Sequence, residues 1–259
     1  MTEVKNNKAF DFLLYSYFGI KESDLNDQSK KDIPYICAKC AKRAYLDLAR
    51  TVKYSYSSSE LEEMKSKKSS EEDKDKANNF IESKNNLIKN ICENILSPIE
   101  TKEREISFKN SDFDDWHKAK CEEIINFMNN SIDKSNTKIL NKKEKFTIGQ
   151  AQKWVNMTLK YLWLLNALPT GVKPEYLHVP IDSYIIEIAY DNKNKFENAL
   201  GLLEEKPEDS WSKLPKYETY FEIQEAIRKA IKTNTTNETI PIKWESLAWI
   251  EVAEKQANK

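Results

Sequence analysis

Apolar positions recur at helical spacing through most of the chain, and this pattern predicts an all-α protein of about nine or ten helices. The densest run lies between Trp154 and Leu165, where Trp154, Val155, Met157, Leu159, Tyr161, Leu162, Trp163, Leu164 and Leu165 cover nearly every direction around a helix. A helix with that pattern is packed on most sides, so it belongs at the centre of the fold. Its polar exceptions, Lys153, Asn156 and Lys160, fall at i, i+3 and i+7 and form one stripe expected to face a cleft, solvent or a ligand.

The flanking pattern supplies the scaffold. Phe10, Leu13, Leu14 and Tyr17 predict a short helix stopped by Gly19. Asp32 before Ile33-Pro34 reads as an N-cap with proline in the first turn, opening a helix that the spacing carries through to Tyr56. Residues 55–79 are serine-rich and dense in both charges, which predicts either a solvated helical excursion or a linker. Further helices are expected from Phe80 to Leu96, from Asp112 to Met128, from Tyr184 to Tyr190, from Tyr217 to Lys232 and after Pro241, the third of these capped by Asp182 or Ser183. The whole is expected to be a single helical domain over residues 1–259, with two lobes around a cleft and the central helix at the seam.

Composition sharpens this picture in three places. Glycine occurs four times in 259 residues, against a usual share of about 7%, and neither glycine-rich phosphate-loop motif is present. A net charge of −1 makes no global case for nucleic acid, but Lys134, Lys138, Lys142, Lys143, Lys145, Lys153 and Lys160 outnumber Asp133 and Glu144 on the approach to the central helix. Such a cluster suits phosphates or, equally, a solvated loop. Cys37 and Cys40 form a C-x-x-C without a second pair, and His117 and His178 stand in separate contexts, so the thiols read as core packing and no metal is expected. The absence of a signal peptide and of an apolar run of about 18 to 20 residues predicts a cytoplasmic protein with no membrane partner.

Two charges lie where burial makes them costly. Lys153 stands near the start of the central helix, and Asp182 stands 29 residues later at the mouth of the next one. Taken singly, the lysine reads as a side chain reaching for the surface and the aspartate as a helix cap. Together, Gln152-Lys153, the apolar helix bearing Lys160, and His178-Val179-Pro180-Ile181-Asp182-Ser183 resemble the catalytic segment of helix-hairpin-helix DNA glycosylases, in particular the archaeal 8-oxoguanine branch. The resemblance spans residues 146–190, and most clearly about 40 of the 259. The segment departs from the family pattern in its hairpin, Phe146 to Gln152, and in carrying Tyr184 where arginine is frequent.

The resemblance implies a DNA N-glycosylase that removes a damaged or modified base, with lyase activity through a lysine Schiff base. Lys153 becomes the nucleophile and Asp182 the carboxylate that stabilises positive charge developing at C1′. Gln152, Asn156, Lys160, His178 and Trp211 are placed around the substrate, the last because an extruded base needs an aromatic face and Trp211 lies in a polar loop. Lys142, Lys143, Lys145 and Gly149 are placed against the DNA backbone. No cofactor is implied, and a monomer with DNA as partner is expected. The competing expectation is a catalytically inactive nucleic-acid-binding or phage-defence protein on the same scaffold; a third is an interaction scaffold working through residues 55–79.

Overall fold

The computed structural model describes residues 7–26, 32–96, 110–192, 195–203, 205–233 and 239–258. Among them the chain forms ten α-helices: α1 (Asn7–Phe18), α2 (Ser23–Asn26), α3 (Ile33–Leu48), α4 (Ser58–Met64), α5 (Glu71–Asn90), α6 (Asn110–Asn130), α7 (Ile148–Leu164), α8 (Ser183–Ala189), α9 (Tyr217–Thr233) and α10 (Pro241–Ala257). No strand occurs among the described residues, only two isolated bridges, Tyr54 with Leu140 and Ile132 with Lys138. The fold class is all-α, as the periodicity requires.

The central helix is α7. Every residue in it is buried except Lys160, Trp163 and Leu164. It packs on α3 along one side and on α6 along another, and its first turn abuts the 3₁₀ turn Trp211–Lys213. Trp154 anchors the α3 side, with its ring 5.0 Å from Tyr45 and its indole N–H donating to the Ala41 carbonyl at 2.8 Å. Its start precedes the apolar run, because Thr147 and Gln150 form a reciprocal capping box that satisfies two backbone N–H groups.

Three elements differ in extent from the periodic reading. The third helix stops at Leu48 instead of Tyr56, and a 3₁₀ turn, Ala49–Thr51, leads into extended chain at Val52. There the backbone finds other partners: Ser55 N–H donates to the Ile139 carbonyl and Asn141 N–H to the Lys53 carbonyl, each at 3.0 Å. Residues 55–79 form the helical excursion, not a linker. Ser57 and Glu60 make a capping box for α4, Ser70 caps α5 through Asp73 N–H, and Ala77 already lies in the core. At its far end α5 loosens into a π turn, Ile91–Ile95, whose Ile91, Cys92 and Ile95 are buried.

The buried side chains form one continuous cluster from α3 to α10, so the two lobes expected from the chain's pattern share a single core. All four cysteines are free and buried in it, with Cys37 donating to the Leu96 carbonyl at 3.2 Å. Burial pushes the Cys37 and Cys92 thiols up to about 12, so they behave as small apolar side chains. Among the described residues no helix is long and apolar enough to cross a membrane.

Candidate active site

Lys153 and Asp182 meet. The Lys153 ammonium donates to Asp182 Oδ2 at 2.7 Å, with side chains 6% and 14% exposed. What brings the carboxylate there is the start of α8. Asp182 is extended (φ −140°, ψ −174°), and its Oδ1 accepts the N–H groups of Tyr184 and Ile185, both at 3.0 Å. One oxygen caps the helix and the other faces the lysine, so the cap and the ion pair are divided between two atoms of one side chain. Oδ2 also accepts the Trp249 indole N–H at 3.3 Å.

A second ion pair lies beside the first. Lys160 is two turns along α7 on the same face, and its ammonium meets Glu245 Oε2 at 2.5 Å. Glu245 is fully buried, and its Oε1 is a buried oxygen with no hydrogen-bond partner among the described residues. Burial pushes its carboxyl above the ordinary range against the pull of Lys160 and Lys153, with Asp182 adding to the push. Trp249 follows Glu245 by one turn of α10 and lies 5.2 Å from the Tyr184 ring. Trp249 keeps 39% of its surface in solvent, so it is the open aromatic edge of this cluster. Sequence reasoning selected neither Glu245 nor Tyr184, and it considered Trp249 as one of five tryptophans for stacking but preferred Trp211.

The buried pair sets up a stability prediction. Lys160→Met leaves Glu245 uncompensated and is expected to cost about 3 kcal/mol or more, whereas Lys160→Met with Glu245→Leu is expected to recover most of it. The single variant's deficit should grow as pH rises above the carboxylate range. A folded carboxyl with a raised pKa holds its proton after the unfolded one has lost it, so deprotonation favours unfolding. Urea unfolding of the three proteins at pH 5 and pH 8 checks both statements; equal losses in single and double variants would refute the first.

Gln152, Asn156 and His178 are not in this cluster. All three are buried, and their polar atoms are committed to the protein itself. Asn156 sits about 60° round the helix from Lys153, enough to turn it inward. It donates to Gln152 Oε1 at 3.0 Å and to the Tyr220 hydroxyl at 2.8 Å, and pairs through Oδ1 with His117 Nε2 at 2.8 Å. His178 bridges the Tyr220 hydroxyl at 2.8 Å and Asp114 Oδ1 at 2.6 Å, and Arg228 closes on Asp114 at 2.9 and 3.1 Å. The two histidines, read from the sequence as unrelated, lie with ring centroids 4.3 Å apart. With Asp114 accepting from His178 Nε2, the Tyr220 hydroxyl donates to Nδ1, a pattern that needs the neutral imidazole. These residues join α6, α7 and α9 and offer a substrate nothing.

Burial holds both imidazoles neutral: His178 is pushed down to about 4, against the pull of Asp114, and His117 is also well below its ordinary value. A histidine with a depressed folded pKa contributes stability that is present above about 6.5 and lost as pH falls, because only the unfolded state takes up the proton. For His178 alone the loss between pH 6.5 and 4 is about 3 kcal/mol. Imidazole proton resonances are expected to stay at their neutral positions down to about pH 5. A midpoint near 6.5 for either ring would contradict the arrangement.

The residues expected to meet DNA divide. Lys142, Lys143 and Lys145 are exposed, and Lys145 joins Lys53 and Lys213 around a cavity of about 290 Å³ at the start of α7. Gly149 does not face it as a backbone donor, because its N–H goes to the Leu214 carbonyl at 3.2 Å. A Cβ there would stand 1.8 Å from the Trp211 carbonyl oxygen, so glycine is what lets the 3₁₀ turn approach the helix. Trp211 is correspondingly buried against α7, 8% exposed, and its ring is not a free stacking surface. Compared with protein-family models, with curated proteins and with solved structures, the chain matches none of them.

Proposed function

We propose that the chain is a DNA N-glycosylase that removes a damaged or modified base, with a lyase step through Lys153. The observation that supports it is the Lys153–Asp182 contact at 2.7 Å, between two residues selected for that chemistry from positions 29 apart. In the proposed reaction the C1′–N bond of the target nucleotide breaks with its electron pair leaving on the base. Asp182 stabilises the positive charge left on the sugar, and Lys153, having passed a proton through Asp182 towards the departing base, attacks C1′. Loss of the ring oxygen as a hydroxyl then gives a Schiff base, from which β-elimination follows. Trp249, beside Tyr184, takes over the stacking role first assigned to Trp211, and Lys53, Lys145 and Lys213 suit the flanking phosphates.

The second reading, an inactive nucleic-acid-binding or phage-defence protein, draws support from the start of α7, whose capping box and Gly149–Leu214 bond leave it turned inward. One assay separates the two. The protein is incubated with duplex and single-stranded DNA carrying a panel of modified bases and scored for base release, borohydride trapping and salt-dependent binding. Release with trapping supports the glycosylase. Salt-sensitive duplex binding without release across the panel overturns it in favour of the second reading.

A further inference from the structure

The segment that delivers Asp182 is a buried length of extended chain in a protein built of helices. Val179, Pro180 and Ile181 are all buried, so their backbone groups need partners, yet no strand lies beside them among the described residues. Two glutamine side chains supply those partners. Gln224 of α9 accepts the Val179 N–H at 3.0 Å and donates to the Val179 carbonyl at 2.7 Å. Gln152 of α7 accepts the Ile181 N–H at 3.2 Å and donates to the Ile181 carbonyl at 2.8 Å. Each primary amide thus bonds one residue's N–H and C=O together, as a neighbouring strand would share them between its own groups. Pro180 between them has no N–H to place. Asn156 adds a third contact, to the Val179 carbonyl at 3.3 Å. Both glutamines are fully buried, where an amide is tolerated only if it is bonded in this way.

We infer that Gln224 is a positioning residue for the Lys153–Asp182 pair, acting through the backbone of residues 179–181 and resting, for its chemical consequence, on the glycosylase reading. Gln152 and Lys153 are adjacent on α7, so the helix that carries the lysine also holds the last residue before the aspartate. Where the chain enters, α7 holds it only through the 3.3 Å contact from Asn156 to the Val179 carbonyl. Gln224, from a different helix, fixes Val179 two residues earlier. With both ends held, Asp182 has one position from which Oδ1 reaches the Tyr184 and Ile185 amides while Oδ2 reaches Lys153. With Gln224 removed, the Val179 N–H has no partner and its carbonyl keeps only the longer Asn156 contact, so the Val179 end is held less tightly, and a shift of about 1 Å in a reacting group is enough to slow chemistry by about a hundredfold.

The test compares wild type with Gln224→Met, which keeps the length of the side chain without its bonds, and Ile227→Val, a buried change on the same helix as a control for lost stability. The first readout needs no activity: the Nζ resonance of Lys153 in ¹⁵N-lysine-labelled protein, assigned by Lys153→Gln. In wild type and Ile227→Val the ammonium protons are expected to exchange slowly, and in Gln224→Met the signal is expected to broaden or vanish. The second is single-turnover base release on whichever substrate the panel identifies, expected to fall at least about tenfold in Gln224→Met with substrate affinity changed less than twofold. Should Gln224→Met not fold, Gln224→Glu keeps the acceptor for Val179 N–H, replaces the donor by a repelling oxygen, and is expected to show the same loss of the Lys153 signal. An unchanged Lys153 ammonium in the folded variant overturns the inference. A wild type that releases no base overturns the glycosylase reading instead, and leaves the ammonium result to decide the positioning role.

Discussion

Lys153→Gln is expected to abolish the borohydride-trapped adduct and to slow base release on the order of a thousandfold or more, because it removes the nucleophile and leaves the carboxylate behind. The protein should still fold. Asp182 loses one donor but keeps the N–H groups of Tyr184, Ile185 and Trp249, and it retains some exposure, so the charge left behind is far less isolated than Glu245 would be without Lys160. That difference lets a kinetic defect be read apart from a structural one. Circular dichroism and the unfolding midpoint are measured alongside trapping on the best substrate of the panel. An adduct of undiminished yield in Lys153→Gln would move the nucleophile elsewhere.

Gly149→Ala is expected to be among the most damaging single methyl additions in the molecule. The new carbon would lie 1.8 Å from the Trp211 carbonyl oxygen and 2.9 Å from its carbon, and these are backbone atoms that no rotamer change can move aside. The turn Trp211–Lys213 must therefore retreat, straining the Gly149–Leu214 bond and the bond from the Thr147 hydroxyl to the Ser212 carbonyl at 2.7 Å. Overpacking of this kind costs about 3 kcal/mol or more, which for a chain of this size lowers Tm by roughly 6 to 12 °C. A thermal melt showing no shift would mean that the turn does not pack on the helix as described.

How far each feature was legible in the sequence follows from whether its signal is local. The position of α7 at the centre was, since nine apolar residues in twelve leave little of the helix for solvent. Asp182 was too, because a helix cap is announced by residue type next to an apolar run. The capping boxes Ser57 to Glu60 and Thr147 to Gln150 were also present as spacing, and they would have settled the 55–79 segment and the true start of α7. Glu245 was not legible, and Trp249 could not be told from the other tryptophans at helical spacing. A tryptophan at helical spacing reads as core and a lone acid beside it carries no signal until α10 is seen against α8 and Lys160. Trp211 misled in the opposite direction. Its neighbours Glu208, Asp209 and Ser210 are polar, yet the ring is buried because Gly149 opens room for its backbone. Asn156 and His178 were chosen for their chemistry, and that chemistry is consumed in a buried network whose other members, His117, Tyr217, Tyr220 and Arg228, come from distant parts of the chain.

The division of labour in the Asp182 carboxylate ties a secondary-structure boundary to the direction of a charge. Asparagine at this position can go on capping through its carbonyl oxygen, so α8 can still begin at Ser183, but the atom turned towards the Lys153 ammonium becomes an NH₂ and attraction becomes repulsion. Glutamate keeps the charge and gives up the short reach that a cap needs. One extra residue between Ile181 and Ser183 would add about 3.3 Å of extended chain and carry the cap away from Lys153. The aspartate therefore acts as an indexing pin: while this residue is aspartate, where the helix starts and where the negative charge points are a single degree of freedom.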